Sequence, residues 1–351
     1  NPDRRIGILG GGQLARMLAI ACAELGFSVH IYSPEKHCPA AQVSNSVTTG
    51  DYTDKKKLCE FSNSIDILTY EFENIDSEGL KTIEKDVPIF PSIRALETSQ
   101  DRYLEKTFLN NLGIKTTPFY KIDSLRDLET LVNRTKKQFL VKTRKFGYDG
   151  KGQLLIKNYA DIKKKFHKDS VNPSIAEEIL DFNKEISIIL ARDLTGKIKT
   201  FEPGENKHKS GILFSTLVPA HISKKIEKEA IEISKKIATN LEYIGVMGIE
   251  FFLKSENLYV NEIAPRVHNS GHWTLDACNV NQFQQHIRAI SGLPLLSPER
   301  YSEVTMYNLI GTPETKKKFP ENAKYYFYGK RESRPGRKMG HVNIIKKKGV
   351  N

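Results

Sequence analysis

The chain has 351 residues, of which 39% are hydrophobic and 27% charged, and its formal net charge at neutral pH is +12. The length predicts two or three domains that share a cleft, and no apolar run approaches the roughly 18 residues of a membrane span, which excludes a membrane protein. The lysine triplets at 55–57, 163–165, 316–318 and 346–348 are scattered and lack interleaved aromatics, so they indicate solvated surface and no nucleic-acid partner.

The first ninety-odd residues alternate predicted strands and helices. An apolar strand at 5–9 is followed by three glycines and by a helix whose apolar face ends at Gly26. Further elements are strands at 28–32, 65–70 and 87–90 and a helix near 100–112. Strands that alternate with helices predict a parallel, doubly wound sheet, which is an α/β arrangement.

The rest of the chain makes the protein α+β overall. From residue 139, short strands surround a glycine-rich loop at 147–153. Apolar residues at helical spacing predict a long amphipathic helix at 223–241, and a β-hairpin is predicted at 246–263. After Pro294 we expect a third, smaller unit, which holds an aromatic run and a basic run.

The cysteines and the N-terminus indicate the compartment. Cys22, Cys38, Cys59 and Cys278 lie far apart and form no C-x-x-C pair, so they indicate reduced thiols rather than a disulfide framework or a zinc site. The N-terminus runs directly into an apolar strand, so we expect no signal peptide. These features predict a cytoplasmic protein.

The glycines after the first strand match a dinucleotide-binding motif. Gly10, Gly12 and Ala15 fit G-x-G-x-x-A between a strand and a helix. An NAD site also requires an acidic residue at the end of the second strand, but Glu35 comes only after a proline. The glycines therefore favour a helix N-terminus that approaches some other anion, or simply a tight turn.

Two acidic residues follow the strand at 65–70. Glu71 and Glu73 lie at the carboxyl edge of the predicted sheet, where open α/β sheets bind ligands. Isolated acids on a protein are most often solvated. Both interpretations stay open for this pair.

The loop at 147–153 is a candidate phosphate site. Its glycines let backbone N–H groups close on phosphate oxygens, and Lys151 or Lys142 can supply positive charge. A flexible hairpin tip is the equally weighted alternative. The loop lacks the G-x-x-x-x-G-K-[ST] spacing, which argues against a P-loop NTPase.

The hairpin at 246–263 indicates a metal site. Glu250 and Glu262 are each six residues from Glu256 at the centre of the turn, so a symmetric register places them opposite each other. Like charges at opposed positions are destabilising, and Glu250 lies in an apolar segment. A Mg²⁺ ion between the two carboxylates would remove the conflict, whereas the alternative is a solvated pair whose repulsion is tolerated.

The segment after the hairpin is rich in groups that bind anions. Arg266, His268, Asn269, Ser270 and His272 occur within seven residues, next to the only tryptophan of the chain. A single arginine or histidine in a connecting loop would not indicate a binding site. The cluster indicates a binding pocket beside the hairpin.

These motifs occur in the order found in one enzyme family. They lie at 8–17, 70–74, 147–153, 248–250, 261–266, 268–273 and 334–341. On these residues the chain resembles the N5-carboxyaminoimidazole ribonucleotide synthetase family of the ATP-grasp superfamily, and the resemblance spans essentially the whole chain. The last two segments are specific to that family.

The resemblance implies an ATP-grasp fold and a homodimer. It places an N-terminal, pre-ATP-grasp domain at 1–98, ATP-grasp domains at 99–293 and a small C-terminal domain at 294–351. Within the middle part it implies a lid subdomain at about 119–185 and a Mg²⁺ and nucleotide subdomain at 186–293. The family reaction uses ATP and bicarbonate to carboxylate aminoimidazole ribonucleotide through carboxyphosphate, in purine biosynthesis. Mg²⁺ is the implied ion, with Mn²⁺ as a substitute.

By position, the resemblance also implies roles for individual residues. The implied nucleotide contacts are Arg102, Lys142, Gly147, Tyr148, Asp149, Gly150, Lys151, Gly152, Gln153, Glu177, Glu178, Ile179, Leu180, Glu185, His208, Asn261 and Glu262. The implied metal ligands are Glu250 and Glu262, and the implied catalytic residues around bicarbonate are Arg266, His268, Asn269, Ser270 and Lys330. The implied ribonucleotide contacts are Gln13, Glu73, Tyr148, Asp149, Lys330 and Arg337.

Three other functions serve as alternatives. The first is the formate-using glycinamide ribonucleotide transformylase, an ATP-grasp relative whose sequence differs at 268–273. The second is an NAD-dependent oxidoreductase, which rests on Gly10, Gly12 and Ala15. The third is a basic nucleic-acid-binding protein, for which binding would fall with salt.

Overall fold

The structure, a computed structural model, describes residues 3–145, 147, 152–166, 172–311 and 319–346. Its strands are β1 (Arg5–Leu9), β2 (Ser28–Ser33), β3 (Ser46–Thr49), β4 (Ile67–Tyr70), β5 (Phe119–Ile122), β6 (Phe139–Thr143), β7 (Gln153–Ile156), β8 (Ser174–Glu178), β9 (Lys184–Arg192), β10 (Ile198–Thr200), β11 (Gly204–Lys209), β12 (Ile212–Val218), β13 (Gly245–Lys254), β14 (Asn257–Ala264), β15 (Val304–Ile310), β16 (Lys324–Phe327) and β17 (Lys338–Ile345). Its α-helices are α1 (Gln13–Glu24), α2 (Lys55–Ser62), α3 (Ser77–Lys81), α4 (Ile93–Gln100), α5 (Arg102–Asn111), α6 (Leu125–Thr135), α7 (Tyr159–Lys165), α8 (Lys224–Asn240), α9 (Thr274–Ala277) and α10 (Gln282–Ser291). Short 3-10 helices span Pro39–Gln42 and Asn269–Gly271.

The N-terminal sheet has the strand order β3-β2-β1-β4, and its neighbouring strands run parallel. Side chains alternate between the faces of a strand, so Ile6 and Ile8 pack in one core with α1. Leu9 and Tyr70 pack in a second core with α2 and α3. Helices cover both faces, which confirms the predicted doubly wound parallel sheet.

Three details of this region differ from the sequence prediction. β3 was missed because it is an edge strand whose residues are only partly buried, so it carries no apolar run. The segment at 87–90 forms a single parallel bridge, between Leu68 and Ile89, and is not a strand. The helix near 100–112 begins only at Arg102, because Asp101 is extended and accepts the Tyr103 N–H at 2.9 Å as an N-cap.

A second sheet, with the antiparallel strand order β5-β8-β6-β7, forms a small subdomain. Its core joins Phe139 and Val141 of the sheet to Leu128 and Leu131 of α6. Strands β6 and β7 flank the glycine-rich loop in the sequence, as predicted, and they pair with each other, with Phe139 opposite Ile156 and Lys142 opposite Gln153.

The third sheet is nine-stranded, with the order β14-β13-β9-β11-β12-β15-β17-β16 and with β10 paired to β9. Strands β15, β16 and β17 belong to the predicted C-terminal unit, yet they continue the sheet of the ATP-grasp part through the β12–β15 pairing. The C-terminal unit is thus joined to the central part by backbone hydrogen bonds. The predicted domain boundaries stay a proposal.

The long helix was predicted within one residue at each end. Ser223 caps α8 by accepting the Ile226 N–H at 3.3 Å, and Leu241 is its C-cap. Ile226, Ala230 and Ile237 are buried against the large sheet. None of the helices that the structure describes combines the length and apolar surface that spanning a bilayer would require.

Candidate active site

A cleft of about 550 Å³ opens where the three sheets approach one another. Its walls combine residues of the N-terminal turns, of the small antiparallel sheet and of the nine-stranded sheet. The implied site residues that line it are Gln13, Glu73, Arg102, Lys142, Gly147, Gln153, Glu185, His208, Glu250, Asn261, Glu262, Arg266, His268 and Asn269. The fold therefore gathers into one cleft residues that are up to 256 positions apart, from Gln13 to Asn269.

Other implied site residues are not part of the cleft wall. Those within the described chain are Gly152, Glu177, Glu178, Ile179, Leu180, Ser270, Lys330 and Arg337. Tyr148, Asp149, Gly150 and Lys151 lie outside the described residues. Ile179 is 51% exposed although it is apolar, which leaves its side chain available to an apolar ligand surface.

The β13–β14 hairpin places Glu250 directly opposite Glu262, as the symmetric register predicted. The register differs, however, from the symmetric one that the prediction assumed. Lys254 pairs with Asn257, so the turn is centred between Ser255 and Glu256, and a straight ladder would pair Glu250 with Asn261. A bulge after Glu250 shifts the pairing by one residue. The predicted pairing of the two glutamates is correct only because of this bulge.

The two opposed carboxylates form a group that fits a hard divalent cation. Ligand atoms of Glu250, Glu262 and His268 lie within 4.8 Å of one another. Burial raises the pKa of Glu250 to about 7, and the facing Glu262 carboxylate adds to the increase. Carboxylate oxygens are the ligands that Mg²⁺ prefers. The kind of donor atom and the facing negative charges therefore both fit a bound Mg²⁺ ion.

Histidine side chains border the carboxylates on two sides. Burial, together with the Arg266 charge, lowers the pKa of His268 to about 3, so its imidazole is neutral beside Glu250. Its Nε2 is 3.6 Å from a Glu250 oxygen. Burial also opposes charge on His208, but its hydrogen bond with Glu185 and the nearby Glu250 carboxylate raise its pKa above the ordinary value. His208 is therefore the histidine that favours a positive charge here.

A buried ion-pair network joins helix α5 to strands β6 and β8 of the small sheet. Lys142 Nζ is 3.0 Å from one Glu177 oxygen, and Lys106 Nζ is 3.5 Å from the other. Burial alone would raise the pKa of Glu177, but the two lysines outweigh it and lower the value to about 2. Burial lowers the pKa of Lys142. Glu177 thus fixes two cations at the base of the cleft.

The polar segment after β14, at 266–272, is organised around Arg266. Its Nε and Nη2 atoms donate to the Glu73 carboxylate at 2.5 and 3.0 Å. Burial alone would raise the pKa of Glu73, but the guanidinium lowers it to about 2. This pair joins the edge of the N-terminal sheet to the turn after β14, so Glu73 is a partly exposed, paired carboxylate, and a role in ligand binding stays a proposal.

The neighbouring polar residues are held by further side chains. Ser270 Oγ lies 2.8 Å from His268 Nδ1 and receives a hydrogen bond from Ser187 Oγ at 2.8 Å. Asn308 donates to Asn269 Oδ1 at 2.5 Å. Ser270 is 1% exposed, so it supports the pocket from behind rather than lining it.

The glycine-rich turn after β1 binds an acidic group of the same chain, the carboxylate of Glu71. Glu71 accepts hydrogen bonds from the backbone N–H groups of Gly12 and Ala15, the latter at 2.9 Å. A Cβ built on Gly10 would lie 2.3 Å from Glu71 Cγ, and the φ of Gly10 is +106°. The glycines therefore make room for Glu71 at the N-terminus of α1. This finding explains the motif without a dinucleotide.

The C-terminal basic residues form a defined turn. Arg337 N donates to Arg334 O at 3.0 Å, and Gly336 has a φ of +80°, as a turn at Pro335–Gly336 predicts. Arg337 Nη1 donates to Glu332 O at 2.8 Å, and Lys330 Nζ donates to Lys338 O at 2.7 Å. The roles implied for Lys330 and Arg337 stay proposals.

Sequence reasoning missed some residues of the cleft. Lys338 lines it although only its neighbour Arg337 was singled out. Glu105 also lines it, three residues after Arg102 on the same helix. Helical spacing from Arg102 would have indicated Glu105 and Lys106, because residues three and four apart share one face.

Family comparisons agree with this architecture. A model of the ribonucleotide synthetase preATP-grasp domain matches residues 4–100, one of the ATP-grasp domain matches 107–283, and one of the phosphoribosylaminoimidazole carboxylase C-terminal domain matches 304–350. The fold and the cleft thus define an ATP-grasp enzyme, a ligase built on three consecutive domains.

Relatives specify the family further. N5-carboxyaminoimidazole ribonucleotide synthase of Brucella melitensis is 43% identical, over 98% of this chain and 97% of its own. The solved structure of the Staphylococcus aureus synthetase complexed with ADP has a TM-score of 0.93 at 37% identity and covers 98% of this chain and 93% of its own. The Aspergillus clavatus synthase in complex with ADP and 5-aminoimidazole ribonucleotide has a TM-score of 0.91 at 27% identity, covering 98% and 94%. The chain belongs to the N5-carboxyaminoimidazole ribonucleotide synthase family.

Proposed function

We propose that this protein carboxylates 5-aminoimidazole ribonucleotide to N5-carboxyaminoimidazole ribonucleotide, using ATP and bicarbonate, in purine biosynthesis leading to IMP. One observation carries the proposal. The opposed Glu250 and Glu262 share a cleft with Arg266, His268 and Asn269, so a site for phosphoryl transfer adjoins a pocket for a small anion. We also propose that the enzyme is a homodimer, as the sequence resemblance implies, and that it is cytoplasmic, as the scattered cysteines indicate.

The nucleotide occupies the side of the cleft between the two antiparallel sheets. Arg102 and Lys142 supply positive charge to its phosphates, and the resemblance assigns residues 147–153 to nucleotide binding as well. The segment 177–180 with Glu185 and His208 completes the nucleotide site. Glu250 and Glu262 would hold Mg²⁺, or Mn²⁺ in its place, which neutralises charge on the transferred phosphoryl group.

Bicarbonate lies against Arg266, His268 and Asn269. The guanidinium of Arg266 binds the anion while it stays paired with Glu73. A bicarbonate oxygen attacks the γ-phosphorus, the bond to the β-phosphate oxygen breaks, and ADP and carboxyphosphate form. Neutral His268 contributes a hydrogen bond without adding charge. Positioning rather than covalent catalysis is what phosphoryl transfer requires of the protein.

The ribonucleotide binds on the side of the N-terminal sheet. Gln13 and Glu73 lie at the edge of that sheet, and Tyr148, Asp149, Lys330 and Arg337 complete the binding site. The 5-amino nitrogen forms a bond to the carboxyl carbon and loses a proton, while the bond between that carbon and the phosphate oxygen breaks and phosphate leaves. Whether carboxyphosphate reacts directly or first releases CO₂, the same residues hold both partners.

The decisive experiment is an assay of ADP production with each substrate omitted in turn. We expect turnover only with Mg²⁺ and bicarbonate together, and faster turnover when aminoimidazole ribonucleotide is present. Formate with glycinamide ribonucleotide serves as the control pair. Turnover driven by that pair, and not by bicarbonate, would replace the proposal with the formate-using alternative.

A further inference from the structure

Strand β14 is an edge of the nine-stranded sheet, so the backbone groups on its outer side need partners other than a strand. Two of these groups flank Glu262 in sequence. They are the carbonyl oxygen of Asn261, at the bulge, and the N–H of Ile263. Whatever binds these two groups also holds the backbone of Glu262 in place.

Helix α5 supplies a partner to each group. Glu105 Oε1 accepts the Ile263 N–H at 2.6 Å, and Lys106 Nζ donates to Asn261 O at 3.2 Å. Glu105 is 2% exposed and Lys106 is 1% exposed. Acidic and basic side chains are almost never buried so fully unless they are paired, so these contacts account for two adjacent ionisable residues in the interior. Burial raises the pKa of Glu105 to about 8, so Glu105 acts on Ile263 through the hydrogen bond and not through a charge.

The same face of α5 also reaches the carboxylate of Glu262. Arg102 Nη1 is 3.7 Å from Glu262 Oε2, and it lies three and four residues before Glu105 and Lys106. Lys106 also pairs with Glu177 of β8 at 3.5 Å. One turn of α5 is thus tied to the β13–β14 hairpin and to strand β8 of the small sheet.

We propose that Glu105 and Lys106 are positioning residues that hold the Asn261 bulge and thereby keep Glu262 opposite Glu250. The register set by the turn would otherwise pair Glu250 with Asn261, and a one-residue slip turns a side chain to the other face of a sheet. The inference rests on the proposed function, because that function makes Glu250 and Glu262 the metal ligands.

The test measures Mn²⁺ binding by electron paramagnetic resonance, on the full chain with ADP present. Glu105→Gln keeps an oxygen that can accept the Ile263 N–H, whereas Glu105→Leu removes the acceptor at similar size. Glu229→Leu, which removes an exposed glutamate of α8, is the matched control for loss of charge. ADP affinity without metal is measured for each variant in EDTA.

We expect Glu105→Leu to weaken Mn²⁺ binding at least about tenfold, with metal-free ADP affinity changed less than threefold. Glu105→Gln and Glu229→Leu should both stay within threefold of the parent protein. Normal Mn²⁺ binding by Glu105→Leu would overturn the inference. So would equal weakening in Glu105→Gln and Glu105→Leu, because that result would assign the effect to charge and not to the hydrogen bond.

Amide exchange provides a second measurement that needs no destabilising variant. The Ile263 N–H of the parent protein should exchange as slowly as amides in the interior strand β13, and it should stay slow in Glu105→Gln. Fast exchange of Ile263 in the parent protein would refute the positioning role, even if Glu105→Leu fails to fold. Absence of Mn²⁺ binding by the parent protein would instead refute the metal site of the proposed function, while the exchange result still decides the positioning role.

Discussion

Two pairs of glutamates line the same cleft, and the groups that surround the two pairs differ. Glu71 and Glu73 follow β4, and each has a partner within the protein: backbone N–H groups for Glu71 and the Arg266 guanidinium for Glu73. Glu250 and Glu262 face each other instead. The groups beside them are a neutral His268, His208, whose pKa is raised, and Arg102, at 3.7 Å from Glu262.

The difference between these pairs separates carboxylates that the chain itself pairs from carboxylates that, under the proposed function, a cation would pair. Arg266 lowers the pKa of Glu73 to about 2 in spite of burial, so its charge is balanced within the chain. Burial and Glu262 raise the pKa of Glu250 to about 7, so its charge is not balanced. An unbalanced buried charge is costly, and a cation is the simplest agent that restores the balance. Substitutions in both pairs, and at a cation outside them, test this distinction.

The largest effect should follow neutralisation in the hairpin. Glu250→Gln or Glu262→Gln should lower kcat/KM for ATP by about 10²- to 10³-fold, because each removes a charge that holds the cation. The same changes should leave the free energy of unfolding unchanged or raise it by up to about 1 kcal/mol, since they end a like-charge contact. ADP release and thermal unfolding measure the two effects. Near-normal turnover of both variants at limiting Mg²⁺ would contradict the metal site.

Arg337→Ala tests a cation that is not committed to either glutamate pair. The rigid turn at 334–337 presents its guanidinium, and loss of one charge-assisted phosphate contact costs about 1.5–3 kcal/mol. We expect the KM for aminoimidazole ribonucleotide to rise about ten- to a hundredfold, with little change in the KM for ATP. Steady-state kinetics with each substrate varied in turn check this. Lys330→Ala, by comparison, should impair both ribonucleotide use and bicarbonate-dependent ATP turnover.

Glu71→Ala should act on stability more than on metal use. It leaves the Gly12 and Ala15 N–H groups without their acceptor at the start of α1, which should cost about 1–3 kcal/mol. Glu71→Gln retains one acceptor oxygen and should cost less. Urea denaturation measures both variants, and the Mg²⁺ dependence of ADP release should be unchanged in them. A large shift in Mg²⁺ dependence would place Glu71 with the ligand-binding pair.

Local patterns allowed the sequence to predict much of the fold and the opposed positions of Glu250 and Glu262. β1, α8 and the hairpin follow from periodicity and turn residues, and counting from the turn brought Glu250 opposite Glu262. The bulge was not predicted. The sequence analysis centred the turn on Glu256, half a residue beyond its true centre, and this error happened to cancel the one-residue shift in pairing that the bulge causes. A bulge depends on what holds the strand edge, here Glu105 and Lys106, and this is a tertiary property.

Contacts between distant segments were not predictable. The Glu71 carboxylate meets Gly12 across 59 positions and Arg266 meets Glu73 across 193, so neither partner appears in a local pattern. The glycine motif consequently suggested an external anion, although the chain supplies its own. β3 was missed for a related reason, since an edge strand that is only partly buried needs no apolar run.

The smallest expected effect is the pH dependence of the Glu73–Arg266 pair. The pKa of Glu73 is lowered to about 2 in the folded protein, against an ordinary value of 4.5, so the folded state binds the proton less tightly than the unfolded state. The pair therefore stabilises the fold fully above pH 4.5, and its contribution is lost as the pH falls toward 2. The pH dependence of the Glu71 contribution to stability has the opposite sign. Burial raises the pKa of Glu71, so its contribution to the stability of the fold is lost as the pH rises.

Since the Glu73 side chain is 27% exposed, solvent screening reduces the effect. We expect the parent protein to lose about 1–2 kcal/mol more than Glu73→Gln between pH 6 and pH 3. Urea denaturation of both proteins across that range measures the difference in slope. Parallel curves would mean that Arg266 does not balance the charge of Glu73, and the contrast with Glu250 would then rest on burial alone.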